Sequence, residues 1–194
     1  MNTIRYSKLM LGLVLLTSCS IVLQAAAPTG WFLAGSKPAA YETGTDAQVA
    51  YNGHPSAYLK AKQPAIDGFG TLMQEFRATK YLGQRVRLSA YVKSEGVQDW
   101  AGLWMRVDRE TKPVSFDNME DRPIKGTTGW QRYEVVLDVP QNAAGVAFGV
   151  LLGGPGTIWL NSVKLETVGT DVPITGKKGP AMRDEAINLN FEER

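Results

Sequence analysis

One histidine, His54, and one cysteine, Cys19, set the limits of acid–base and thiol chemistry in this chain. His54 stands between Gly53 and Pro55, a turn context in which an exposed residue is a simpler reading than a catalytic base. Ser56 is too near in sequence to complete a triad, whose members come from distant segments. One histidine and one cysteine also fall short of the usual zinc ligands. Carboxylates are more numerous: Asp108, Asp117, Glu120 and Asp121 share a region with Arg106, Arg109 and Arg122. Paired acids hydrolyse glycosides only at a fixed separation across a cleft. Interleaved arginines more simply predict ion pairs that order a loop. Asp117-Asn118 offers oxygens of the kind calcium takes, but without EF-hand spacing. No catalytic residue, cofactor or metal is therefore assigned.

The aromatic residues carry the stronger signal. In Gln84–Lys93, Val86, Leu88, Ala90 and Val92 fall on one face and Arg85, Arg87, Ser89, Tyr91 and Lys93 on the other. In the next alternating run Leu103, Met105 and Val107 oppose Trp104, Arg106 and Asp108. Period two is the mark of a half-buried strand. Rings on the outer face beside guanidinium and carboxylate groups suit a sugar, which stacks through C–H bonds and exchanges hydrogen bonds through its hydroxyls. Tyr91, Trp104, Arg106 and Asp108 are the expected ligand-binding residues. The competing expectation is that an N-terminal layer with Trp31 and Phe32 covers this face, leaving Trp104 as packing.

Further strands are expected at 56–60, 70–78, 131–139, 146–152 and 157–166. Gly153-Gly154-Pro155-Gly156 reads as a hairpin connection between the last two. Twenty glycines and ten prolines spread along the chain match frequent turns. Together these predict an all-β fold: an antiparallel two-sheet β-sandwich of jelly-roll type. Its core is expected to hold Val86, Leu88, Leu103, Met105, Tyr133, Val135, Leu137, Phe148 and Val150.

The ends are read differently. Arg5 and Lys8 precede an apolar run from Leu9 to Leu16, and small residues follow to Ala27. This is the pattern of an export signal over 1–27, too short for a stable membrane span. Leu16-Thr17-Ser18-Cys19 resembles a lipobox, which would end the signal at residue 18 and lipidate Cys19. The two endings give a soluble exported protein or one anchored to the envelope by lipid. Residues 28–168 form the sandwich, about 140 residues and enough for one core. Residues 169–194, with Pro173, Gly176, Lys177, Lys178, Gly179 and Pro180, read as a flexible tail. Once the two basic residues of the signal are set aside, 19 basic residues face 19 acidic ones. That balance speaks against nucleic acid or an anionic membrane as partner.

Several segments resemble galactose-binding-like jelly rolls of carbohydrate-binding modules. They are Asn52-Gly53-His54-Pro55-Ser56-Ala57-Tyr58-Leu59, the run from Gln74 to Leu88, Gly129-Trp130-Gln131-Arg132-Tyr133 and Gly156–Val163. The stretches Leu103–Asp108, Phe116–Met119 and Arg122–Trp130 are similar to a bacterial domain found beside tail-specific serine peptidases. The resemblance implies a binding domain without catalysis, whose partner is carbohydrate or an envelope protein. The alternatives are an interaction module for a separate envelope enzyme and, third, a hydrolase. Stand-alone relatives of the second domain often carry a transcription-regulator label. The export signal, balanced charge and lack of a helix-turn-helix pattern argue against that label here.

Overall fold

The computed structural model describes residues 26–176. The export signal, the Cys19 lipidation site and residues 177–194 of the expected tail lie outside the described residues. Nine strands are present: β1 (Phe32–Gly35), β2 (Tyr41–Tyr51), β3 (His54–Ala61), β4 (Phe69–Arg77), β5 (Gln84–Arg109), β6 (Lys112–Asp117), β7 (Ile124–Val139), β8 (Gly145–Gly153) and β9 (Thr157–Val168). Every pairing is antiparallel. The all-β sandwich expected from period-two alternation is the observed fold.

The sheet is curled on itself through β5. The first half of that strand runs between β7 and β9, with Leu88 opposite both Val135 and Leu165. Its second half runs beside β8, with Leu103 opposite Val150, and then beside β6, with Met105 opposite Asp117. The order β1-β4-β8-β5 thus forms one layer, and β5-β9-β3-β2 forms the other with β7. The two expected strands at 84–93 and 103–108 are parts of one. Between them the alternation breaks, because register shifts separate Val92, Ser94, Val97 and Ala101 and Gly96 takes a positive φ of 60°.

The core lies between the layers. Val86, Leu88, Leu103, Met105, Val135, Leu137, Phe148 and Val150 are buried in it as expected, while Tyr133 is half-buried against it. Trp31 joins this interior through an edge-on contact with Phe148, with ring centroids 5.6 Å apart. The expected hairpin at 153–156 is corrected. β8 and β9 are not neighbours in the sheet, and the linker carries the chain from one layer to the other. Gly154 and Gly156 have positive φ, and Gly154 donates to the Gly68 carbonyl, so the glycines make a crossing rather than a return.

The first part of the expected tail is also corrected. Arg85 donates to the carbonyls of Thr170 and Val172, and the Thr175 amide donates to Val136. Residues 170–175 are therefore held on the sandwich.

Candidate functional site

The outer face of the first layer is laid out by strand register. Even-numbered residues of β5 and odd-numbered residues of β4 and β8 point outward together. Phe69, Gly153 and Trp100 lie side by side; Met73, Gly149 and Trp104 follow; then come Glu75, Ala147 and Arg106, and finally Arg77, Gly145 and Asp108. The central strand β8 thus contributes mostly glycine and alanine between larger side chains on β4 and β5. A furrow along β8 is the direct result.

A cavity of ≈ 400 Å³ opens in this furrow. Trp100, Trp104, Phe69 and Phe116 give it aromatic walls, and Arg106, Asn118 and Thr71 bring polar atoms. Phe69 and Phe116 are 38% and 46% exposed, and Phe32 projects on the same face in register with Met73. Three of the four large hydrophobic side chains exposed among the described residues therefore border one surface. Such clustering marks a binding face.

Trp104 forms the floor rather than a free platform. It is 7% exposed and packs with Met73, Ala147 and Leu151. Its indole N–H donates to Thr71 Oγ1 at 2.7 Å, and that hydroxyl donates to the Val150 carbonyl. The chain of bonds satisfies every polar atom of the buried pair. Trp100 is half-buried and closer to the mouth, and a Cβ on Gly153 would lie 3.0 Å from its Nε1. Sequence reasoning missed Trp100, although it shares the parity of Trp104. Gly149 is needed for close approach: a Cβ there would meet the Leu72 carbonyl oxygen at 2.3 Å. Gly149→Ala should therefore destabilise by about 1–3 kcal/mol, read as a lower urea midpoint at unchanged slope.

Arg106 and Asp108 continue the same face. Arg106 Nε donates to Asp108 Oδ2 at 3.0 Å, which fixes the guanidinium at the cavity wall. Tyr91 is not part of this group. It belongs to the first half of β5, opposite Arg132 and Asn161, and stacks on Tyr51 with centroids 4.3 Å apart. Trp130 stands 5.2 Å from Tyr51. The structure thus joins three of the expected site residues and separates the fourth. Alternation gives the face of a strand but not the layer to which each half belongs.

The remaining acids form a structural cluster. Asp117 is buried, and Arg122 grips both its oxygens, at 2.5 and 3.2 Å. The Met119 amide and the Thr175 hydroxyl also donate to it, and Arg122 extends to Asp121 at 2.8 Å. Burial alone would raise the Asp117 carboxyl, but these donors and the Arg122 charge outweigh it and hold it below its ordinary value. These donors leave little room for calcium at this aspartate. His54 is exposed in the β2–β3 turn, and its carbonyl accepts from Asn161.

No family model matches the chain. Over 167 residues it is 48% identical to a Bacillus subtilis protein named as an uncharacterized HTH-type transcriptional regulator, YbfP. The match takes in 84% of this chain and 57% of that protein, so the chain spans little more than half of the relative's length. Solved structures share the fold. The CBM22-1 xylan-binding domain from Paenibacillus barcinonensis Xyn10C superposes with a TM-score of 0.52 at 16% identity, over 75% of this chain and 90% of that one. The Stig cyclase Fisc from Fischerella sp. TAU also gives 0.52, at 13% identity, over 75% and 88%. The carbohydrate-binding-module resemblance is supported at the level of the jelly-roll fold.

The sequence-based function is corrected by the Bacillus subtilis relative. A non-catalytic exported domain for envelope components conflicts with the transcription-regulator name carried by so similar a sequence. The same name had been argued against from charge balance and the lack of a helix-turn-helix pattern. Those arguments describe only the shared stretch, and 57% of the relative is all that stretch covers.

Proposed function

We propose that the sandwich is a ligand-sensing module that binds a carbohydrate non-covalently and belongs to a regulatory protein. The observation carrying this reading is the ≈ 400 Å³ cavity, with aromatic walls and an arginine held at its side by Asp108. Apolar ring faces with a few oriented polar groups are the usual composition of a small-ligand site. Trp100 offers a face for stacking, while the free edge of the Arg106 guanidinium and the Asn118 amide supply directed hydrogen bonds. Solved structures of this fold include one named for xylan binding, and the regulator name of the Bacillus subtilis protein supports a sensing role. Binding rather than catalysis fits the carboxylates, since Asp108 and Asp117 are engaged by arginines.

The test is a glycan array on the full chain, followed by titration of each retained glycan. Trp100→Ala should weaken binding at least tenfold, equivalent to about 1.4 kcal/mol. Arg106→Ala should weaken it by a smaller factor. Both variants should melt within a few degrees of the parent, because neither side chain is buried. An array with no retained glycan, or unchanged affinity in Trp100→Ala, defeats the reading.

A further inference from the structure

The furrow does not end at the aromatic cavity. Its floor continues along β8 through Ala147 to Gly145, where a second cavity of ≈ 310 Å³ opens between the end of β4 and the end of β5. From Gly153 to Gly145 the floor is eight strand rises, about 27 Å. That is several times the width of one sugar ring. The character changes along the way, from aromatic rings to Glu75, Arg77 and Asp108.

One atom at this end asks for a partner. Asp108 Oδ1 is shielded from solvent and receives no hydrogen bond. Arg106 Nε lies 2.9 Å from it, but that nitrogen carries a single hydrogen and directs it to Oδ2. A shielded carboxylate oxygen without a donor is costly to keep. Glu75 and Arg77 are exposed on the neighbouring strand, seated beside Ala147 and Gly145. Among the described residues neither is found in an ion pair.

The geometry points to a second subsite at the Gly145 end, so that the ligand is an oligosaccharide chain lying along β8 rather than a single terminal sugar. This rests on the carbohydrate reading above and extends it. One unit of the chain stacks in the aromatic cavity. A later unit reaches the charged end and donates a hydroxyl to Asp108 Oδ1, while Arg77 and Glu75 exchange hydrogen bonds with its other hydroxyls.

The test measures affinity of the full chain for linear xylo-, cello- and galacto-oligosaccharides of one to six units. Asp108→Asn is the informative substitution. Its carbonyl oxygen must accept from Arg106 Nε, which puts the amide N–H₂ where Oδ1 stood and turns an acceptor into a donor. Affinity is expected to rise at least tenfold from disaccharide to pentasaccharide. Asp108→Asn, and separately the double variant Glu75→Ala/Arg77→Ala, should abolish that gain and leave disaccharide affinity unchanged. Trp100→Ala, by contrast, should weaken chains of every length. Affinity that stays flat beyond the disaccharide overturns the second subsite while leaving the carbohydrate reading intact. So does a length gain that survives both Asp108→Asn and the double variant. Binding at no length overturns both.

Discussion

Replacing Trp104 with alanine is expected to cost about 3–5 kcal/mol of stability, because the change empties a packed position. The indole is 7% exposed, against Met73, Ala147 and Leu151, and no neighbour can fill its volume without moving β8. The substitution also strips Thr71 Oγ1 of the donor that Trp104 Nε1 supplies. Thermal unfolding should shift downward by about 10 °C, on the usual scale for a domain of this size. Trp104→Phe should recover most of the packing and none of the hydrogen bond, falling between parent and alanine. Because Trp104 is the floor on which the cavity rests, ligand affinity should fall in parallel with stability. Trp100→Ala separates the two effects. A Trp104→Ala protein as stable as the parent refutes this assignment and makes the ring an open platform.

Asp117→Ala is expected to be nearly as damaging, at about 3 kcal/mol, near the lower limit for breaking a buried pair because Arg122 keeps a third of its side chain in solvent. The aspartate holds three separate pieces of chain. Arg122 belongs to the β6–β7 connection, Met119 to the turn after β6, and Thr175 to the segment docked on Val136. Its loss should release all three, and proteolysis at 118–122 should accelerate. The pH dependence has a definite sign. The folded carboxyl is held below its unfolded value, so its stabilisation is complete above the ordinary carboxylate range. It disappears as pH falls through the folded value. Acid titration of the parent should thus show a loss of stability that Asp117→Asn largely lacks. Equal acid sensitivity in both proteins contradicts the assignment.

Alternation made the fold legible wherever one face of a strand was apolar and the other charged. Val86 to Val92 and Leu103 to Val107 are buried because of that pattern, and their strands were found from it. β2 was missed because Thr43, Gly44 and Thr45 give its central part little apolar contrast. β6 was missed because five of its six residues are not buried, so its sequence carries no buried face to detect. The long strand β5 read as two because Ser94, Gly96 and Val97 interrupt the period at the register shifts.

The site was legible for the same local reason and illegible for a non-local one. Trp104, Arg106 and Asp108 stand on one face of one strand, which periodicity reports directly. Tyr91 stands on the corresponding face before the break, where the same strand has passed into the other layer. The small residues of β8 that open the furrow are apolar glycine and alanine, and in sequence they look like any buried strand. Their role depends on which neighbours flank them.

β5 also governs how the molecule can come apart. A strand that supplies partners to β7 and β9 at one end and β8 and β6 at the other leaves no boundary at which one layer could open while the other stayed closed. Fluctuations that expose β5 must break both layers at once, so they approach the cost of global unfolding. The edge strands β1 and β2 can fray without that penalty. A ligand seated along β8 would therefore tighten the same cooperative unit that carries the Tyr51–Tyr91 stack on the opposite layer. In a two-layer protein spliced by a single strand, occupancy of one surface is felt as rigidity of the other.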